Sequence, residues 1–252
     1  MPGGLSLLTL LLASLCILFA AVVRGFTGFG LAVVGVPLLT VFFAPARIVP
    51  SIMILAVLAG LQLLPRIWHA IDWRLLAPTV VGAALGTPLG TLALARLPDD
   101  LMRLLIGGAV LIAAAALAHG FRFAARPRLP VSGGLGILAG LTGGAAAMSG
   151  PAVIFLFLAS PIATEAGRAC LITFFLISAL ISAASAWTQG LMTPDAALLG
   201  AALLPAMLAG NFLGDRLFAR SSEGLYRQAV IVLLAVLGLI AACRGAYGLL
   251  SA

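Results

Sequence analysis

Gly25-Phe26-Thr27-Gly28-Phe29-Gly30 lies inside an apolar stretch and returns, altered, as Gly140-Leu141-Thr142-Gly143-Gly144-Ala145. Each copy leads to a proline. Pro37 follows Gly35-Val36, Pro151 follows Ser149-Gly150, and Pro45 and Pro161 come at similar distances beyond. Further along, Gly86-Thr-Pro-Leu-Gly90 followed by Arg96, Leu101 and Arg103 matches Gly210-Asn-Phe-Leu-Gly214 followed by Arg220, Leu225 and Arg227, at a constant offset of 124. A duplication of this extent marks transporter folds built from repeated halves. It predicts one membrane domain, 1–252, with internal repeats 1–120 and 129–250.

The sequence around these motifs agrees. The chain is 63% hydrophobic and 8% charged, against roughly 25% charged in soluble domains, and its mean hydropathy is +1.25. Too few polar side chains exist to coat a water-facing surface, so lipid must be the solvent for most of it. A soluble enzyme and a nucleic-acid-binding domain are thereby excluded. Apolar runs recur near 5–23, 26–45, 48–65, 75–95, 104–119, 131–147, 150–160, 169–187, 196–213 and 228–243. Most match the roughly 20 residues of a spanning helix. The run 131–160 is too short for two full crossings and suits one long span or a hairpin that enters and returns. The N-terminal stretch lacks a positive n-region and reads as the first membrane segment.

All 14 basic residues are arginines, and they punctuate the runs as topology determinants do. If the first pair of runs in each half is an even number of crossings, nine loop arginines fall on one side and four on the other, with Arg24 set aside. Counting the pair as one crossing gives no bias. The expected fold is therefore all-α and polytopic. It has two inverted repeats, each a broken-helix hairpin plus three transmembrane helices, with eight or more membrane segments and both termini outside the cytoplasm. A plain eight-span arrangement is the alternative.

Backbone that leaves helical geometry at membrane depth is tolerated only where it is buried or lines a cavity. The glycine clusters 25–30 and 140–144 read as such breaks, with Pro37 and Pro151 as helix-breaking positions. The half-helix starts beyond them offer N–H groups and partial positive charge to an anion. The candidate substrate-binding set is Arg24, Thr27, Gly28, Gly30, Gln62, Thr142, Gly143, Gly144, Ser149, Gly150 and Asn211. Arg24 would supply the charge, since no other charged side chain lies within twenty residues of it. The competing reading gives these glycines to close helix packing and the amides of Gln62 and Asn211 to interhelical bonding. Glu165 with Arg168, and Asp215 with Arg216, read as local ion pairs. Cys16, Cys170 and Cys243 read as small buried hydrophobes. No metal or cofactor site is expected, because the two histidines are isolated and no nucleotide-binding motif is present.

On the run Gly25–Gly30 through Gly35-Val-Pro37-Leu, its echo Gly140-Leu-Thr-Gly-Gly through Ser149-Gly-Pro151, and the Gly86–Gly90 and Gly210–Gly214 segments, the chain resembles the sulfite exporter TauE/SafE family, also called the TSUP family of four-toluene-sulfonate uptake permeases. The likeness spans nearly the whole length. Phe29 and Ala145–Met148 stand where family members commonly carry a glycine-richer run. The resemblance implies carriage of sulfite, thiosulfate or organosulfonates across the bacterial inner membrane. Joined to the residue reading, it gives a secondary transporter, not an enzyme, that works by alternating access around a midplane anion site. The alternatives are an anion channel or a carrier of non-sulfur carboxylates. Expected partners are the small anion and membrane lipid, with no nucleic acid; proton or ion coupling and a homo-oligomer are left open.

Overall fold

The computed structural model describes residues 7–43, 45–94, 99–146, 150–188 and 190–251, with no strand among them. The helices in chain order are α1 (Leu7–Thr27), α2 (Leu31–Leu39), α3 (Pro45–Ile67), α4 (Trp73–Leu94), α5 (Asp99–Ala118), α6 (Leu129–Ala146), α7 (Gly150–Ala159), α8 (Thr164–Thr188), α9 (Pro194–Arg220) and α10 (Glu223–Ser251). Among the described residues, five stretches are long and apolar enough to cross a bilayer: Leu7–Thr27, Arg47–Ala70, Thr164–Thr188, Pro194–Arg220 and Glu223–Ile240. The chain is a multi-pass membrane protein. α2 and α7, of 9 and 10 residues, follow α1 and α6 at matching places in the two halves.

Local chemistry sets the boundaries. α9 starts where the Thr193 side chain accepts the Ala196 N–H at 3.2 Å, with Pro194 opening the first turn. α1 ends where Gly28 and Gly30 take φ of 91° and 106°, a region that side chains with a Cβ rarely enter. Trp68, Trp73 and Trp187 are exposed at or beside helix ends, as an interfacial aromatic belt requires. Cys170 is buried and Cys16 half-buried; Cys243, expected inside, is exposed on α10.

The described chain forms two compact units that interleave the halves. One comprises Met1–His69 with Ile172–Ser222, the other Ala70–Leu171 with Glu223–Ala252.

In the first unit, α1 and α9 meet at their backbones. A Cβ on Gly210 would strike the Leu18 carbonyl and one on Gly214 the Val22 carbonyl, so residue numbers rise together and the helices run parallel. α3 also runs parallel to α9: Ser51 Oγ donates to Ala196 O at 2.7 Å, Gln62 Nε2 to Leu208 O at 3.2 Å, and Arg66 Nη1 to Asp215 Oδ2 at 2.7 Å. α1 and α3 therefore point the same way, and α2 is the return between them, with Gly35 against Ile17, Ala20 and Ile52. At 1.5 Å per residue α2 rises only ~14 Å, about half a bilayer core. The core of this unit joins Ile17, Leu31, Leu39, Ile48, Leu55, Leu203 and Met207.

The second unit repeats the device. α4 and α6 run parallel, with Gly82 against Gly133, Gly86 against Ile137, Gly136 against Thr79 and Gly140 against Ala83, each a backbone contact that a Cβ would overlap. α5 and α10 run antiparallel: Gly238 lies beside Val110 and Leu111, while Arg227 Nη2 reaches Leu117 O and Phe121 O at 3.1 Å each.

Three expectations are corrected here. Gly25 is helical and packs against the Asn211 backbone, so the first break is confined to Gly28–Gly30. Gly140, Gly143 and Gly144 lie within α6, which continues to Ala146. Pro37 sits inside α2 and does not end it. Gly25 and Gly140, lacking a Cβ, serve close backbone approach, and Pro37 is carried by an already short helix. Pro151 is the second residue of α7, a position where proline costs no hydrogen bond.

Candidate functional site

The break between α1 and α2 is buried from Thr27 to Leu31. Its backbone is stitched locally. Gly28 N–H donates to Arg24 O at 2.7 Å, and the Thr27 hydroxyl lies 2.8 Å from both Val23 O and Phe29 O while accepting the Phe29 N–H at 3.3 Å. α2 then opens from Gly30 with no side-chain cap. The first N–H groups of such a helix have no intrahelical acceptor and carry the positive end of its dipole. Phe29 closes one side of the break by stacking on Phe175, with ring centroids 6.2 Å apart.

Arg24 occupies the last turn of α1 and is 3% exposed. Its Nη2 donates to Ala56 O at 3.4 Å, long for a bond from a charged donor. Ala56 is the twelfth residue of the 23-residue α3, so the guanidinium reaches the middle of a spanning helix. Arg24 is therefore buried within the protein, against the middle of α3. A charge held there carries a large desolvation cost unless it serves a partner.

Asn211, fully buried, donates Nδ2 to Ala59 O at 3.0 Å and to Gln62 Oε1 at 2.8 Å, and Gln62 passes its own Nε2 to Leu208 O. The two amides tie α3 to α9, the interhelical bonding weighed from sequence. Their link stands next to Gly25, one residue from Arg24. One unit thus contains Arg24, Thr27, Gly28, Gly30, Gln62 and Asn211.

The second-half candidates stand in the other unit. Thr142 is within α6, its hydroxyl donating back to Leu138 O at 3.0 Å or Ala139 O at 3.1 Å. Gly143 and Gly144 occupy the last turn of α6, and Gly150 opens α7. Ser149 lies outside the described residues.

Some contacts had no clear signal in the chain. Asp215 pairs with Arg66, 149 residues away, a partner to which the sequence did not point. Arg66 and Arg216 both lie over the Phe212 ring, at 5.3 and 4.3 Å from its centroid. Arg168, read as an interfacial partner of Glu165, is 3% exposed while Glu165 is exposed. The four-residue spacings Gln62–Arg66 and Asn211–Asp215 were available signals, since they put each pair on one helix face.

A many-helix membrane protein with a buried arginine beside a broken helix has the architecture of a transporter. The model of the family described as sulfite exporter TauE/SafE matches residues 13–240, and the chain belongs to that family. It is also 28% identical over 226 residues to a protein of Cupriavidus necator named probable sulfite/organosulfonate exporter TauE, covering 84% of this chain and 85% of that one. No solved structure matches.

Proposed function

We propose that this chain is a secondary transporter that exports small sulfur oxyanions (sulfite, thiosulfate or organosulfonates) across the bacterial inner membrane. The observation that carries the reading is Arg24: a buried guanidinium at the mid-depth of α3, on the turn before an uncapped half-helix. A sulfonate or sulfite would take two parallel donors from Arg24 and the N–H groups that open α2. Gly28 and Gly30 let the backbone approach closely, and Thr27 fixes the break. We propose the second-half residues Thr142, Gly143, Gly144, Ser149 and Gly150 separately, as the sequence counterparts of this set in the repeat.

Alternating access between inverted halves supplies the movement. The helix directions support inversion. A chain whose ten described helices alternate in direction runs α1, α3 and α9 parallel, α4 and α6 parallel, and α5 and α10 antiparallel, as each unit has them. Five helices per half then turn the second half over.

Thermal unfolding of the purified chain with sulfite, thiosulfate, sulfoacetate, acetate and phosphate, beside Arg24→Ala, tests the site. A ligand at about 100 times its Kd stabilises by roughly 2.7 kcal/mol. Selective stabilisation by a sulfur oxyanion, lost in Arg24→Ala, is expected. A shift with acetate alone, or a sulfur-anion shift that survives the substitution, overturns the substrate or the site.

A further inference from the structure

Beyond Arg24 the seam between α3 and α9 carries polar groups at every step toward one end. Along α3 come Ala56, whose carbonyl meets Arg24, then Ala59, whose carbonyl meets Asn211, then Gln62, then Arg66. Successive members are three or four residues apart, about 4.5–6 Å of rise, and Arg66 stands ~15 Å from Ala56. α9 answers with Asn211 and Asp215 one turn apart. At the end of the seam Arg66 and Arg216 flank Phe212, and Asp215 supplies one negative charge against two positive ones. Arg216 is exposed. A phenyl face excludes water from one side of each guanidinium, which strengthens the field an approaching anion feels. On the path inward, Asn211 Oδ1 is buried without a hydrogen-bond partner. A buried acceptor of that kind is costly to leave unmade, and water accompanying an anion would satisfy it.

We infer that the Arg66–Phe212–Arg216–Asp215 cluster is a capture site for small oxyanions, and that the Gln62–Asn211 pair connects it to Arg24. The inference rests on the reading of Arg24 as the anion site. The cluster holds anions by net charge, weakly and with strong salt dependence. Arg24 holds them by desolvated, directed donors. Asp215 tempers the capture site so that the anion leaves it for the deeper one.

The test uses equilibrium binding of sulfite and of sulfoacetate to the purified full chain, at low and high ionic strength, alongside KM and kcat of transport in proteoliposomes. R24Q is expected to retain weak anion binding that fades at high salt. R24Q/R216Q loses it, R24Q/R216K keeps it, and R24Q/R220Q keeps it, Arg220 being an exposed arginine one turn away at the end of the same helix. In an otherwise native chain, R216Q raises KM roughly 10-fold at low salt and little at high salt, with kcat retained. D215N lowers KM. The inference is overturned if R24Q binds no anion, if R220Q weakens binding as much as R216Q, or if the R216Q effect does not depend on salt. A chain that transports no sulfonate yet binds anions through Arg216 in the R24Q background refutes the transport reading and leaves the capture site standing.

Discussion

Gly25 and Gly28 are three residues apart in one motif and do different work. At Gly25 the requirement is space, because the Asn211 backbone lies where a Cβ would go. At Gly28 and Gly30 the requirement is conformation, because φ is positive. Gly28→Ala or Gly30→Ala is therefore expected to cost about 1–3 kcal/mol, the strain of a side chain forced into a sparsely populated backbone region. Thermal unfolding in detergent measures it, and an unchanged melting temperature for both would contradict the broken-helix geometry. Arg24 is legible in sequence as an isolated charge, but its depth is not. Its place against the middle of α3 follows from the Ala56 carbonyl 32 residues on, which has no side-chain signature.

Element pairing is where the glycines count most. α1 packs on α9 and α4 on α6 through backbone contacts, the geometry that small residues allow between membrane helices. Gly214→Leu and Gly140→Leu should each destabilise by about 3 kcal/mol or more, since the neighbour is backbone and has no rotamer to yield. Gly108→Ala, where a Cβ meets nothing within 4 Å, should be neutral or stabilise by up to about 1 kcal/mol. Melting temperatures of the three variants check this, and equal losses at Gly108 and Gly214 would remove the packing argument. The repeated Gly-x-x-x-Gly spacing announced close packing in the sequence. It did not announce the partners, because α1 takes its partner from the far half of the chain, and a spacing motif carries no address. For the same reason Gly140–Gly144, a copy of the first motif, reads as a break although it lies in helix.

At the scale of the molecule, composition alone fixes lipid as the solvent, and the duplicated motif announces two halves. The units that form are not those halves; each combines segments from both. Nothing in a linear repeat distinguishes side-by-side halves from interleaved ones. The arginine count favours an even number of crossings before α3, and α1 and α3 run parallel with the short α2 between them. The consequence is a topology prediction. In a chain freed of its native cysteines, a single cysteine replacing Val41 should label with a membrane-impermeant thiol reagent from the side that holds the N-terminus. One replacing His69 should label from the opposite side. Labelling of position 41 from the side opposite the N-terminus would contradict the hairpin.

All three scales meet in one claim, that a sulfur oxyanion sits against Arg24 and is carried by the two halves. Counterflow in proteoliposomes addresses it most directly: vesicles loaded with unlabelled sulfite or sulfoacetate, labelled anion outside, wild type beside Arg24→Ala. The account predicts saturable transient accumulation of label in the wild type, at least 100-fold slower in Arg24→Ala, an effect of about 2.7 kcal/mol. Counterflow that persists in Arg24→Ala, or wild-type vesicles that accumulate neither sulfite nor sulfoacetate, would contradict it.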